Sequence, residues 1–210
     1  MKLELFTYWR SSSSYRVRIA LGYKGLAWTP RYVNLLEKEN KKEDYAKSSP
    51  TSYVPCLVVD GKTYVESVAI CELLDELAPS PPFLPKSPED RARVRALVEI
   101  INAGTQPLQN LSVLEKLGDD KEVRVAWLRH FIGRGLAAFE ALADARGPFA
   151  FGEAFTLADA FLVPQVYAAR RFGVDLAPLP RVVRAETAAL ELPFVDAARP
   201  EKQGDARAST

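Results

Sequence analysis

Histidine and cysteine are scarce in this chain of 210 residues, which contains one histidine, His130, and two cysteines, Cys56 and Cys71. A single histidine excludes a multi-histidine metal site, and two cysteines without a paired C-x-x-C spacing exclude a four-cysteine zinc site. We therefore expect no metal. In a reducing compartment both cysteines are expected to be small buried hydrophobic residues. His130 lies in a helical pattern, which favours a structural role over a catalytic one.

A charge excess and long apolar runs are also missing. The chain has 28 lysine and arginine residues against 27 aspartate and glutamate residues, a net charge of +1, whereas nucleic-acid binders usually concentrate a basic excess on one face. No apolar run approaches the roughly 18 residues that a membrane helix needs. The opening residues, MKLELFTYWR, lack the apolar stretch and cleavage site of a signal peptide. We expect a cytoplasmic protein with no nucleic-acid and no membrane partner.

Proline is concentrated between Ala78 and Pro88, where it occupies five of eleven positions. Because proline can continue neither a helix nor a central strand, this segment predicts a linker over residues 79–88. The linker separates residues 1–78 from residues 89–210, and both lengths lie within the usual size of a domain.

Strand and helix patterns alternate before the linker. Strands are predicted at Leu3–Thr7, Trp28–Leu35, Cys56–Val59 and Lys62–Val65, and helices at Ser14–Lys24 and Ser67–Leu77. The Asp60-Gly61 pair between two β-type runs is a hairpin signal. A small mixed sheet with helices packed on it is an α/β layer.

The long patterns after the linker are helical, so the second domain is predicted to be all-α. Helices are predicted at Glu89–Gly104, Pro107–Leu117 and Lys121–Ala145. Thr156 precedes an apolar run, and Asp159 follows three positions later, which is the signature of a capping box. The segment from Lys202 onward is expected to be mobile.

Three short clusters contain the polar groups that suggest a binding site. Arg10 and four serines, Ser11 to Ser14, stand where a helix begins, and amides and hydroxyls there favour a negative charge. Val54-Pro55 precedes a strand, where a cis bond would present the Val54 amide and carbonyl to a ligand. Glu66-Ser67 starts a helix and could hold an α-amino and an α-carboxylate group. Each cluster alone also fits an ordinary turn, strand start or helix start.

Together the three clusters resemble the site of the glutathione transferase family. The run RSSSSYRVRIAL, from Arg10 to Leu21, resembles the signature of its zeta class, and INAGTQPLQNLSVL, from Ile101 to Leu114, resembles a second hallmark of that class. Similar segments at Leu157–Leu176 and Phe194–Asp205 extend the resemblance over nearly the whole chain. The fold class implied is α/β followed by all-α, a thioredoxin-like N-terminal domain and an all-helical C-terminal domain.

The resemblance implies glutathione as the cofactor and assigns roles by position. It implies that the Ser11 hydroxyl faces the glutathione sulfur and that Arg10 and Arg171 meet an acidic substrate. The implied catalytic residues are Arg10, Ser11, Ser12 and Arg171. The implied glutathione-binding residues are Ser11, Ser12, Ser13, Ser14, Tyr15, Arg16, Asn40, Val54, Pro55, Glu66, Ser67, Gln106, Asn110, Leu111 and Ser112.

Three positions depart from the family pattern. Ser13 stands where cysteine is frequent, Glu66 where glutamine is frequent, and Gly204 where proline is frequent.

The activity implied is isomerisation of maleylacetoacetate to fumarylacetoacetate in aromatic amino-acid catabolism. A thiolate that adds to the cis alkene and later leaves permits rotation, so the chain itself needs no nucleophile. A maleylpyruvate isomerase is an alternative, although Gln106-Pro107 stands where those enzymes tend to have His-Pro. A general glutathione transferase is another. A non-enzymatic binding protein would usually lose the residues that hold glutathione. A homodimer is also implied.

Overall fold

Residues Leu3–Thr7 alternate between buried and half-buried side chains, and this alternation forms the first strand, β1. The strand belongs to a computed structural model that describes residues 1–206. The described residues form two compact units, one containing Met1–Pro81 and residues 193–206, and the other containing Pro82–Leu192. Within the described residues, no helix has the length and apolar character required to cross a membrane.

Before the linker, the first unit has the order of strands and α-helices expected from the sequence, with one additional short α-helix. Its elements before the linker are β1 (Leu3–Thr7), α1 (Ser12–Tyr23), β2 (Thr29–Tyr32), α2 (Glu43–Ser48), β3 (Cys56–Val59), β4 (Lys62–Val65) and α3 (Ser67–Leu77). The bounds of β1, β3, β4 and α3 are those predicted, because each has a clear apolar pattern and a clear turn at its ends.

The four strands form one mixed sheet in the order β2-β1-β3-β4. Strand β2 is parallel to β1, and the other neighbouring pairs are antiparallel. Leu5 of β1 lies between Pro30 on one side and Leu57 on the other. The predicted hairpin is confirmed, since Asp60 and Gly61 both have positive φ, 48° and 85°, as a type I′ turn requires.

The predicted bounds of two elements in this unit were wrong. Helix α1 begins at Ser12 and not at Ser14, because the Ser11 side chain caps the helix by accepting a hydrogen bond from the Ser14 amide. Strand β2 covers only Thr29–Tyr32, and all four of its side chains are exposed. Its position at the sheet edge explains why Pro30 is tolerated.

The second unit is helical, as predicted. Its helices are α4 (Pro88–Asn102), α5 (Leu111–Leu114), α6 (Lys121–Leu142), α7 (Leu157–Phe172) and α8 (Pro180–Leu190). Side chains cap α4 and α6: Ser87 accepts from the Asp90 amide, and Asp120 accepts from the Glu122 and Val123 amides. Such caps satisfy amides that a helix start leaves without intrahelical partners.

The predicted helix Pro107–Leu117 was wrong. The structure has a 3-10 turn at Gln106–Gln109, the single-turn helix α5, and a second 3-10 turn at Glu115–Leu117. Asn110 has extended backbone angles, φ −62° and ψ 143°, and separates the first two pieces. Apolar spacing alone could not show this interruption, because it arises from the conformation of one polar residue.

The capping box predicted at the start of α7 is confirmed. The buried Asp159 carboxylate accepts from the Thr156 amide at 2.8 Å, the Thr156 hydroxyl at 3.0 Å and the Ala150 amide at 2.7 Å. Burial raises the pKa of Asp159 to about 6, against the effect of these donors. The three bonds fix the loop that precedes α7 onto the helix.

The last described residues belong with the first unit and not, as expected, with the helical domain. A final helix, α9 (Pro193–Ala197), packs on α1. The close approach of α9 to α1 depends on the absence of a side chain at Gly22. A Cβ at that position would lie 3.0 Å from Phe194 Cβ. The Phe194 ring lies 5.4 Å from that of Tyr23.

Replacement of Gly135 by alanine is expected to destabilise the second unit by about 1–3 kcal/mol, the usual cost of overpacking. A Cβ at Gly135 would lie 1.9 Å from Thr105 Oγ1 and 2.9 Å from Thr105 Cβ. Thr105 is fully buried, and its hydroxyl donates to the Ile100 carbonyl at 2.7 Å. Thermal unfolding followed by calorimetry measures the loss.

Gly133 in the same helix provides the matched control. Among residues 1–206, a Cβ there would meet only Val174 Cγ1, at an ordinary distance of 3.7 Å. Gly133→Ala should therefore be neutral or add up to about 1 kcal/mol through helix propensity. Equal melting temperatures for the two variants would contradict the close packing of α6 on Thr105.

Candidate functional site

The turn between β1 and α1 presents Ser11. The Ser11 amide donates to the Tyr8 carbonyl at 3.0 Å, which closes a turn over residues 8–11. Ser11 then caps α1, and its Oγ accepts from the Ser14 amide at 3.2 Å. Because a helix N-terminus has a partial positive charge, a negative ligand atom at this turn is stabilised by the dipole of α1.

The predicted serine cluster lies at the same place. Ser12 and Ser13 are half-buried in the first turn of α1, and Ser14 is buried. The Ser14 Oγ atom is buried without a hydrogen-bond partner within residues 1–206. Arg10 stands one residue before Ser11, with its Cζ 4.5 Å from the centre of the Trp9 ring. The turn thus brings one guanidinium and four hydroxyl groups to the start of one helix.

The start of α3 is joined to α1 by a buried hydrogen bond. Arg16 is only 1% exposed, and its Nη1 donates to Ser67 Oγ at 3.0 Å. The preceding residue, Tyr15, is also buried. Glu66 is exposed and has a φ of 69°, a backbone conformation that costs about 1–3 kcal/mol in residues other than glycine. Glu66 is thus the N-cap residue of α3, and Ser67 is its first residue.

Val54 and Pro55 are buried and joined by a cis peptide bond. The segment before them is fixed by side chains. Asn40 Nδ2 donates to the Ser52 carbonyl at 2.7 Å, and Tyr45 donates to the Tyr53 carbonyl at 2.6 Å. Asn40 was predicted to reach the ligand. In the structure its side chain instead bonds to the backbone of Ser52, two residues before Val54.

In the second unit, the residues predicted from the family hallmark cluster around the two short turns after α4. Gln106 Nε2 donates to Asn110 Oδ1 at 2.8 Å. Gln109 Nε2 donates to Oε1 of the buried Gln165 at 3.0 Å, which attaches this segment to α7. Leu111 and Ser112, at the start of α5, are exposed.

The two consecutive arginines near the end of α7 have different surroundings. Arg170 forms an ion pair with Glu186 of α8, and this bond raises the pKa of Arg170. Arg171 is exposed, and its Cζ lies 4.9 Å from the centre of the Phe172 ring. The side chain of Arg170 is itself 54% exposed, so both arginines reach the surface.

Neither cysteine is suited to be a nucleophile. Both are buried, as predicted, and burial raises the pKa of Cys56 to about 11 and that of Cys71 to about 12. A nucleophilic cysteine needs the opposite shift, since the thiolate is the reactive form. His130 lies on α6 with its ring 4.9 Å from the Phe131 ring. Among the residues that the structure describes, no group of acidic, histidine or cysteine side chains is arranged to hold a metal.

Sequence reasoning missed Arg18 and Asp205, which hold the turn over residues 8–11. Arg18 is 2% exposed and bonds to the Thr7 hydroxyl and to the carbonyls of Tyr8, Trp9 and Ala198. Asp205 accepts from the Trp9 amide at 2.9 Å. The expected mobility from Lys202 onward is therefore wrong as far as Ala206, and residues 207–210 lie outside the described part. A charged residue among the apolar positions of α1 was the available signal for Arg18.

The polar groups of the first unit fit the groups of glutathione. A carboxylate at Glu66 suits an ammonium group, the Ser67 hydroxyl suits a carboxylate, and the start of α1 suits a thiolate. The buried Ser14 hydroxyl, without a partner in residues 1–206, is a further polar group at that helix start.

Comparison with known proteins agrees with this fit. The family model described as "Glutathione S-transferase, N-terminal domain" matches residues 5–82. Maleylacetoacetate isomerase of Pseudomonas aeruginosa is 42% identical over 213 residues, which cover 99% of this chain and 100% of that protein.

Two solved structures have the same fold. The holo structure of maleyl pyruvate isomerase, a bacterial glutathione S-transferase in the zeta class, has a TM-score of 0.94 at 39% identity and covers 96% of this chain and 99% of that one. Maleylacetoacetate isomerase of Anaeromyxobacter dehalogenans 2CP-1, with bound glutathione in the active site, has a TM-score of 0.88 at 47% identity and covers 98% of each chain.

These matches confirm the fold class expected from the sequence, a thioredoxin-like domain with a helical domain. Their identities exceed 30% over nearly the full length of both partners. The chain therefore belongs to the glutathione S-transferase family and, within it, to the zeta class that includes the maleylacetoacetate isomerases.

Proposed function

We propose that this protein is a glutathione-dependent enzyme that isomerises maleylacetoacetate to fumarylacetoacetate. The observation that carries the proposal is the capped start of α1, where the Ser11 hydroxyl stands at a site for a negative charge while both cysteines are buried. Such a chain needs its nucleophile from a ligand. The similarity to a maleylacetoacetate isomerase over the whole chain supports the same conclusion.

Residues of the first unit are proposed to bind glutathione, which when bound supplies the thiol that acts as nucleophile. Ser11 Oγ accepts from the Ser14 amide, so its own proton is available to a thiolate sulfur. Arg16 donates to Ser67 Oγ, which leaves the Ser67 proton for a ligand carboxylate. Ser12, Ser13, Ser14, Tyr15, Asn40, Val54, Pro55 and Glu66 complete the proposed set.

Residues of the second unit are proposed to complete the glutathione site and to recognise the substrate. Gln106, Asn110, Leu111 and Ser112 have the first role. Arg171 is proposed to bind a substrate carboxylate together with Arg10 of the first unit. Arginine suits this task because its planar guanidinium makes two parallel hydrogen bonds to a carboxylate. The two units thus have separate proposed tasks, with the boundary within the predicted linker, residues 79–88.

Maleylpyruvate is the alternative substrate. The high structural similarity to a maleyl pyruvate isomerase, a TM-score of 0.94, favours considering it. Gln106-Pro107 in place of His-Pro favours maleylacetoacetate. Both substrates offer a cis alkene next to a carbonyl group and a carboxylate, so the same site could act on either.

The test is a direct assay of the purified protein with both substrates, with glutathione, with S-methylglutathione, and with neither. We expect cis–trans conversion, followed by chromatography, only with glutathione, because S-methylglutathione can bind but has no free thiol. A higher kcat/KM for maleylpyruvate would reverse the substrate assignment. No acceleration of either conversion would refute the proposed isomerase.

Binding to immobilised glutathione distinguishes the two remaining hypotheses, a general glutathione transferase and a non-enzymatic binding protein. Retention on the resin together with conjugation of halogenated acids, but no isomerisation, would indicate a general transferase. Failure to bind would favour a non-enzymatic member of the family.

We also propose a homodimer that works in the cytoplasm. Glutathione is the thiol that keeps the cytosol reducing, and two free cysteines suit that compartment. The dimer is an inference from family membership, and light scattering at enzyme concentrations in the assay range tests it.

A further inference from the structure

We propose that Asp205 and Arg18 are positioning residues for Ser11, so that the segment of residues 193–206 determines where the Ser11 hydroxyl stands. Neither Asp205 nor Arg18 belongs to the set of residues proposed to touch glutathione or substrate. It rests on the proposed role of Ser11 at the thiol.

Asp205 and Arg18 bond to the backbone of the turn over residues 8–11. Asp205 bonds to the amide of Trp9, and Arg18 bonds to its carbonyl. Asp205 Oδ2 accepts from the Trp9 amide at 2.9 Å. Arg18 Nη2 donates to the Trp9 carbonyl at 3.0 Å, and its Nη1 lies 3.4 Å from the Tyr8 carbonyl. The Tyr8 carbonyl also accepts the Ser11 amide that closes the turn. Consequently three consecutive backbone groups that define this turn bond to these two side chains.

Arg18 joins the same turn to the segment of residues 193–206. Its Nε donates to the Ala198 carbonyl at 3.1 Å. Burial lowers the pKa of Arg18 to about 10, which still leaves the guanidinium charged at neutral pH. Burial raises the pKa of Asp205, and the positive charge of Arg18 acts in the opposite direction. One buried cation thus bonds to the turn and to the segment at once.

The segment is itself fixed, so Asp205 can act as a rigid support. Gln203 Nε2 donates to the carbonyls of Ala197 and Arg199 at 3.1 and 2.9 Å, and the Ala206 amide donates to the Gln203 carbonyl at 3.1 Å. Gly204 lies against Tyr32, since a Cβ at that position would come within 2.6 Å of the Tyr32 hydroxyl oxygen. These contacts leave the Asp205 carboxylate little freedom to follow a moving turn.

Ser11 is the last residue of this turn, so the conformation of the turn determines the position of the Ser11 hydroxyl. A hydrogen bond from the Ser11 hydroxyl to a thiolate depends on the position of its oxygen to within a few tenths of an ångström. If the Trp9 amide loses its acceptor, the turn relaxes and that bond weakens. The pKa of the bound thiol should then rise, although no group that touches glutathione has been changed.

The test compares full-length D205A and D205N with D196A. Asp196 provides a matched control because it lies in the same segment and forms ion pairs with Lys202 and Arg199, both within that segment. In the glutathione complex, the ultraviolet absorption of the thiolate is titrated with pH. We expect the thiol pKa to rise by about half a unit to one unit in D205A, the size of a lost hydrogen bond. D205N keeps an oxygen acceptor and should give a smaller rise, and D196A should give none.

A second measurement requires no glutathione. Amide hydrogen exchange of the peptide that contains residues 8–11 should become about threefold to tenfold faster in D205A, with D196A near wild type. An unchanged exchange rate in D205A, or equal changes in D196A, would overturn the proposal. A loss of thermal stability in D205A with an unchanged thiol pKa would also overturn it, since that is what a purely structural role predicts.

If D205A does not fold, the same comparisons between D205N and D196N decide. If wild type fails to bind glutathione, the proposed function is wrong, and the exchange result alone decides whether Asp205 holds the turn.

Discussion

Replacement of Ser11 by alanine is expected to lower turnover about 100-fold at saturating glutathione, the usual cost of removing one donor that stabilises a developing charge. Ser11 stands at the N-terminus of α1, and its hydroxyl accepts from the Ser14 amide, so that its own proton can be directed to the sulfur. Steady-state rates with the maleyl substrate measure the loss.

The Ser11 substitution also removes a helix cap, which costs about 1 kcal/mol of stability by itself. Ser87 is the matched control, because it caps α4 in the same way and accepts from the Asp90 amide at 3.1 Å. Ser87→Ala should lose similar stability while turnover stays near wild type. A change under about threefold in the Ser11 variant would remove Ser11 from the mechanism.

Replacement of Arg171 by alanine is expected to lower kcat/KM for the maleyl substrate about 10- to 150-fold. The estimate follows from a charge-assisted hydrogen bond worth about 1.5–3 kcal/mol. Glutathione affinity, measured by calorimetry, should hardly change, because the proposed contacts of Val54, Glu66 and Ser67 are intact. The rate with an uncharged electrophile should also be retained.

Arg134→Ala is the control for this prediction. Arg134 is also exposed, and its Cζ lies 5.2 Å from the Phe131 ring, close to the 4.9 Å between Arg171 and Phe172. Loss of an arginine–aromatic contact alone should therefore affect both variants alike. If both keep wild-type kcat/KM, Arg171 is an ordinary surface arginine. If the Arg171 variant loses stability and all three parameters fall together, its role is structural.

The parts of the fold that sequence predicted are those encoded by neighbouring residues. The hairpin between β3 and β4 follows from Asp60-Gly61, which adopt positive φ at little cost. The start of α7 follows from Thr156 and Asp159, three positions apart. In each case the interacting groups lie within one turn of the chain, so a local pattern contains the necessary information.

Predictions failed where a distant partner or one backbone conformation decides the outcome. The segment after Pro107 has helical spacing, yet the extended backbone of Asn110 divides it. The residues from Lys202 to Ala206 resemble a polar tail, yet Asp205 bonds to an amide 196 positions earlier in the chain. No periodicity connects such positions, because the contact exists only after the intervening domain has folded.

In the candidate site too, local features were predictable from the sequence and long-range contacts were not. The hydroxyl groups at the start of α1 were predictable from Ser11 and its neighbours, because helix caps have a sequence signature. The bond between Arg16 and Ser67 joins residues 51 positions apart, and sequence gave no reason to pair them. The two side chains that hold the Ser11 turn were missed for the same reason.

The pairing of Trp9 with Asp205 also has a consequence for the order of events on the ribosome. At about 5–20 residues per second, the 196 positions between them take about 10–40 s to synthesise. During that interval the nascent β1–α1 region lacks the acceptor for the Trp9 amide, while the whole helical unit is being made. A chain released early, before residue 205, therefore lacks this acceptor permanently, and we expect it to bind glutathione with the raised thiol pKa predicted for D205A.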